Sequence, residues 1–204
     1  CLCQIEQQTM KPTFLYHLLT LALLLCGMVM PSLQAQPYKN PSLSPEERTA
    51  DLLQRMTLEE KIAQIRHIHS WNIFEEQELN KSKLQEFVGD LCWGFVEGFP
   101  LTGENCHRHM RHIQEYMLNH TRLGIPIFTV AEALHGSVHE GSTIYPQNIA
   151  LASTFNPELA YLRATEISKE LHYQGINQIL APCIDVVRDL RWGRIEESYG
   201  EDPY

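Results

Sequence analysis

Two short stretches concentrate the residue types that do chemistry. The first is Glu132-Ala133-Leu134-His135-Gly136, a carboxylate and an imidazole placed directly after an apolar run. The second is Arg188 to Tyr204, which packs Arg188, Arg191 and Arg194 with Asp189, Glu196, Glu197, Glu201, Asp202 and Trp192. Guanidinium groups offer a rigid fork of donors to paired hydroxyls or carboxylates, and an indole offers an apolar platform with a polar edge. Together they have the composition of a carbohydrate site. Glu196, Glu197, Glu201 and Asp202 are candidates for acid or base work, and equally for ion pairs with the neighbouring arginines.

Other groupings carry less. His135 and His139 have the spacing of a metal pair on a helix, but Gly136, Ser137 and Gly141 favour a loop, and no third ligand is indicated. Cys106, His107, His109 and His112 spread around a helical cylinder and are expected to form a solvated face. No glycine-rich phosphate loop follows a strand, which disfavours a dinucleotide fold.

The elements that position these residues follow from periodicity. Ser44-Pro45-Glu46-Glu47 starts a helix with a capping serine, a proline in the first turn and acids at the positive end. Thr57-Leu58-Glu59-Glu60 is a capping box for a second helix with Leu58, Ile62 and Ile65 at helical spacing. Residues 91–96 read as a strand. Cys106 to Leu118 reads as a helix, and Ile127 to Val130 as a strand buried on both faces. Asn156-Pro157-Glu158 opens a long helix with Leu159, Leu162, Ala164, Ile167 and Leu171 inward, closing at Gly175. Residues 176–182 read as the next strand, and Cys183, beside it, is expected to be a small buried hydrophobe. Residues 84–88 are ambiguous. Strand and helix alternate, the pattern of a parallel α/β sheet of about three strands. Glu132, His135, Asp185 and Arg188 all follow carboxyl ends of strands, where such folds build their sites.

Composition sets further bounds. The 204 residues are 44% hydrophobic with a net charge of −9, which disfavours nucleic acid as a partner because phosphate binding wants a basic face. Met10-Lys11, an apolar run from Phe14 to Met30 and a polar stretch ending on the small Ala35 have the shape of a secretory signal peptide cleaved after Ala35; a membrane anchor and a lipoprotein signal at Cys26 are the alternatives. Export implies a secreted or periplasmic protein with no stable membrane span after cleavage. Cys92, Cys106 and Cys183 then remain, too few and odd for a disulfide framework. The chain divides into residues 1–35 (upstream residues and signal peptide), 36–44 (a linker) and 45–204 (the domain).

Ala131 to Gly136, Tyr145-Pro146-Gln147-Asn148-Ile149-Ala150-Leu151-Ala152-Ser153-Thr154-Phe155-Asn156, and Arg188 to Tyr204 resemble, in order and spacing, the family 3 glycoside hydrolases. The resemblance runs from about Pro45 to the last residue. It implies the first part of a (β/α)₈ TIM-like barrel, truncated after about three strands. It also implies retaining hydrolysis of terminal β-linked sugars from the non-reducing end of oligosaccharides, with no cofactor and no metal. Glu132 matches the acid that holds sugar hydroxyls before the scissile bond, and Arg194 matches that subsite's arginine. The family's nucleophile (in a Ser-Asp-Trp-like motif), its Lys-His pair and its acid/base are expected beyond Tyr204, so these residues by themselves are expected to be inactive. Many glucosidases of the family carry Asp where this chain has Glu132, and its β-xylosidases often show Glu-Ala-Leu-His-Gly. The extra methylene would intrude where a hexose hydroxymethyl sits, which favours a pentose. The alternative is a non-catalytic or vestigial sugar-binding protein.

Overall fold

The structure, a computed structural model, describes residues 36–98 and 102–203. The expected signal peptide lies outside them. The chain separates into two compact units, one ending at Arg55 and one running from Met56.

In the first unit a 3-10 turn, Pro37–Lys39, precedes helix α1 (Pro45–Arg55). Tyr38 is buried; its N–H donates to Asp51 Oδ2 (3.1 Å) and its carbonyl accepts from Arg48 Nε (2.9 Å). Ser44 caps α1: its Oγ accepts from the Glu47 N–H (3.2 Å), and Glu47 Oε2 accepts from the Ser44 N–H (3.0 Å).

The second unit alternates strands and helices. In chain order these are α2 (Leu58–Gln64), β1 (His67–His69), β2 (Phe74–Glu75), β3 (Glu78–Leu79), α3 (Lys81–Val88), β4 (Phe95–Glu97), α4 (Gly103–His120), β5 (Phe128–Ala131), α5 (Asn148–Ala152), α6 (Pro157–Tyr173) and β6 (Gln178–Ile179). Strands β1, β4, β5 and β6 form one parallel sheet in that order, and β2 and β3 form a separate hairpin. The sheet is therefore α/β and parallel, as the alternation implied, but it has four strands among the described residues rather than three. The added strand is β1. His-Ile-His is too short to show a period, and it becomes a strand only because His67, Ile68 and His69 pair with Phe95, Val96 and Glu97.

Successive strand residues point to opposite faces. Ile68, Val96 and Thr129 lie in register and are fully buried beneath the helices. They join Cys106, Met110, Ile113 and Met117 of α4 and Ile167 and Leu171 of α6 in the core. At Gly94 the chain passes so close to α2 that a Cβ would lie 1.8 Å from the Gln64 carbonyl oxygen, so only glycine fits.

The capping box on α2 forms as expected: Thr57 Oγ1 accepts from the Glu60 N–H (3.3 Å) and Glu60 Oε2 accepts from the Thr57 N–H (2.8 Å). Glu60 is buried and also receives the Arg122 guanidinium (Nε to Oε1, 2.6 Å), which holds its carboxyl below the usual range. Residues 84–88, ambiguous in sequence, belong to helix α3, which starts from an Asn80 cap.

Several burial expectations are overturned. Leu58 and Ile62 on α2 and Ile65 at its end, read only as helical spacing, are exposed, and the buried residues of that helix are Glu60 and Ala63. On α6, Leu159 and Leu162 are exposed. They line an apolar cavity of about 360 Å³ with Tyr145, Pro146, Ala150 and Leu151. On α4, Cys106 and His109 are buried, not solvated: the His109 ring meets Phe74 edge-on at 5.1 Å. Periodicity finds a stripe, but which stripe is covered depends on what packs there.

Candidate active site

The second face of the sheet is open. Alternation puts His67, Phe95 and Phe128 in one row across it, and His69, Glu97 and Val130 in the next toward the carboxyl ends. Glu132, two residues past Val130, continues that face just beyond the end of β5.

Acidic and basic groups converge there. The pKa of Glu132 is raised, first by desolvation at the strand end, then by the negative charges of Glu197 and Glu97; Arg194 acts in the opposite direction. Glu132 is nonetheless exposed, so its carboxylate remains available to a ligand. Arg194 Nε donates to Glu197 Oε2 (2.9 Å) and Oε1 (3.0 Å), and Nη2 donates to Oε2 (2.5 Å). That pairing holds the Glu197 carboxyl below its ordinary range, with a smaller contribution from His135. The structure thus brings Glu132, Arg194, Glu197, Glu97 and His135 into one electrostatic neighbourhood.

Buried polar contacts hold these residues in place. Arg163 on α6 is buried; its Nη2 donates to Asn148 Oδ1 (2.5 Å) and Tyr199 Oη (3.2 Å), and Nη1 to the Pro146 carbonyl (3.0 Å). Asn148, fully buried, donates through Nδ2 to the Glu197 carbonyl (2.6 Å). The short turn Ile195–Glu197 is therefore anchored to α5 and α6 from beneath. On the other side of Glu132, His135 Nδ1 lies 3.0 Å from the Tyr145 carbonyl, which also requires a close approach at Gly136. A Cβ at Gly136, with φ of 138°, would sit 2.3 Å from the Thr143 carbonyl oxygen.

The structure does not bring His135 and His139 together as a metal pair. His139 is buried with its Nδ1 2.6 Å from Ser137 Oγ and its Nε2 3.6 Å from Cys106 Sγ, while Ser137 Oγ donates to Gln174 Oε1 (2.7 Å). Burial pushes the Cys106 thiol up to about 12, so it stays protonated. This Cys-His contact is a structural tie between α4, α6 and the loop after β5, and lacks the thiolate a nucleophile needs. Cys183 is also not as expected. It lies past the end of β6, partly exposed, with Sγ donating to Asp185 Oδ2 (3.2 Å). Of the carboxylates offered for ion pairs, Glu197 takes Arg194, but Arg191 pairs with Asp189 (2.5 Å). Trp192 lines a shallow cavity of about 270 Å³ with residues 185–189.

Glu97 and His69 escaped the sequence reading. Glu97 closes an apolar run, and only the register with β1 and β5 shows which face it takes.

Residues 57–204 match the model of the glycosyl hydrolase family 3 N terminal domain. The chain belongs to that family. It is 32% identical over 179 residues to a periplasmic β-glucosidase of Salmonella typhimurium, covering 86% of this chain and 22% of the relative. It is 29% identical over 203 residues to a xylan 1,4-β-xylosidase of Xylanibacter ruminicola, covering 91% and 18%. The solved β-glucosidase of Listeria innocua, in complex with glucose, superposes with a TM-score of 0.62 at 33% identity, covering 79% of this chain and 22% of that one. The chain thus spans about a fifth of the length of these relatives. Among the described residues no helix is long and apolar enough to cross a membrane.

Proposed function

We propose that this chain forms the beginning of an exported, exo-acting retaining β-glycosidase, and that its four-stranded sheet is the first part of a (β/α)₈ barrel. The observation that carries this reading is the convergence of Glu132, Arg194 and Glu197 at the carboxyl ends of parallel strands, in a member of family 3. In such barrels the carboxyl-end loops build the site. Glu132 and Arg194 hold the hydroxyls of the terminal sugar. Glu197 orients the Arg194 fork, which leaves Glu132 free to accept from a hydroxyl pair. The two carboxylates that break the bond by way of a covalent glycosyl-enzyme lie in sequence beyond Tyr204. The periplasmic relative and the leader-like residues 10–35 support export, with residues 36–44 as a linker and 45–204 as the domain.

Relatives are named for both glucose and xylose substrates. The length of Glu132 favours the pentose, since one methylene is worth about 1–3 kcal/mol of discrimination. In the full-length enzyme, Glu132→Asp is expected to raise the kcat/KM ratio of aryl β-glucoside to aryl β-xyloside by about tenfold. An unchanged ratio would remove the pentose preference. Loss of all turnover on Arg194→Ala, with wild-type far-UV circular dichroism, is expected if Arg194 holds the sugar; unaffected turnover would remove that assignment.

A further inference from the structure

Three ligand-type side chains meet on the open face beside the Glu132 cluster. His67 and His69 are two apart on β1, so both project to the same side of the sheet. The register sets Glu97 directly opposite His69. Glu97 Oε1 lies 3.0 Å from His67 Nε2 and 3.2 Å from His69 Nδ1. The donor atoms of all three residues fall within 4.8 Å of one another. It is the one such grouping of three among the described residues. Each side chain is held: all three stand on paired strands, and the His69 ring stacks on Trp71 at 4.0 Å with planes 9° apart. None of the three side chains is sealed in the core.

The chemistry of the set selects among cations. Two imidazoles and one carboxylate suit Zn²⁺ and its divalent neighbours in the first transition row, whereas Ca²⁺ and Mg²⁺ require mostly oxygen. Bonds of about 2.1 Å at tetrahedral angles put neighbouring donors about 3.4 Å apart. The two edges to Glu97 Oε1, 3.0 and 3.2 Å, are shorter, a gap that small side-chain rotations cover. His69 Nδ1 is buried without a hydrogen-bond partner, and a bound ion would supply one. Three protein donors leave a fourth position open. The surroundings are negative: the Glu132 and Glu97 charges act on one another, and Arg194 is already paired with Glu197.

We propose that His67 Nε2, His69 Nδ1 and the Glu97 carboxylate form a binding site for a divalent first-row transition-metal ion. The site is separate from the proposed sugar contacts and stands whether or not the glycosidase reading holds. It is tested by titrating metal-free full-length protein with Co²⁺ and following the visible absorption of the low-coordinate ion, then displacing it with Zn²⁺. One equivalent is expected to bind, with Kd raised more than about tenfold by His67→Gln and by Glu97→Gln, since even loss of an outer-sphere partner costs about that much. Glu132→Gln is expected to retain the site, which separates it from the sugar cluster. Variants are compared at wild-type far-UV circular dichroism; His67 is 37% exposed and tolerates the change, so it serves if Glu97→Gln misfolds. No absorption at one equivalent, or an unchanged Kd in the folded variants, would overturn the proposal.

Discussion

The two faces of the four-stranded sheet use the same strands for opposite purposes. On the helix side, Ile68, Val96 and Thr129 are fully buried. On the open side, the residues between and beyond them are His67, His69, Glu97, Phe128 and Glu132. One face is closed by α4 and α6 and supplies stability; the other carries Glu97 and leads to Glu132 of the candidate site. A period of two makes this division possible, because each strand can be apolar toward one layer and reactive toward the other without a change of backbone. The lesson lies in β1, whose three residues hold one core isoleucine between two candidate ligands.

The comparison breaks most visibly by truncating one side chain on each face. Ile68→Ala is expected to cost about 3 kcal/mol through lost burial and a residual cavity. Phe128→Ala removes a larger side chain, but one 51% exposed on the open face, and is expected to cost about 1 kcal/mol. Urea denaturation of the full-length protein measures both; equal losses would mean that the open face is as tightly covered as the other.

The buried polar anchors sharpen it further. Asn148→Ala strands the Arg163 guanidinium and the Glu197 carbonyl without their shared partner. A loss of about 2 kcal/mol is expected, together with weaker binding of a sugar inhibitor as the Ile195–Glu197 turn loosens. Unchanged inhibitor binding would show that Arg194 does not depend on the anchor.

Glu60 extends the contrast to the helix layer, where a charge is tolerated only when paired. Glu60→Gln is expected to cost about 1–2 kcal/mol at neutral pH, moderated because Arg122 is about half exposed. The pH dependence has a definite sign. The folded-state pKa of Glu60 is depressed, so its contribution is complete above the unfolded carboxyl value and disappears as pH falls through the folded one. Denaturation midpoints of wild type and variant should therefore converge in acid, and a gap that persists there would mean that the ion pair is not its source.

The smallest effect is electrostatic. Arg194→Gln should move the Glu132 carboxyl further up, and Glu197→Gln should move it down, because the first removes an opposing positive charge and the second a like charge. Carboxyl-carbon NMR titration reads both, and shifts of the same sign would separate Glu132 from this cluster.

Local signals settled much of this protein in the linear text. The Thr57 capping box, the Asn156-Pro157 start of α6 and the existence of strand β5 each depend on neighbours within a few residues, so they were legible before any fold was known; the expected burial of β5 on both faces fails at Phe128, which is 51% exposed. Family membership was legible too, because the Glu132 and Arg188–Tyr204 motifs retain their order and spacing. What stayed hidden needed distant partners. Three residues cannot announce themselves as β1, and the exposure of Leu58 and Ile62 is invisible to periodicity, which marks a stripe without saying what covers it. Burial of Cys106 and His109 on a helix full of polar residues depends on the loop after β5 and on the β2–β3 hairpin. The meeting of Glu97 with His67 and His69 across 30 and 28 residues, and of Glu132 with Arg194 across 62, is a product of strand register and of the buried Arg163 anchor. Residue types were set by the sequence; which of them share a face was decided by pairing and burial, since these depend on distances that no local pattern encodes.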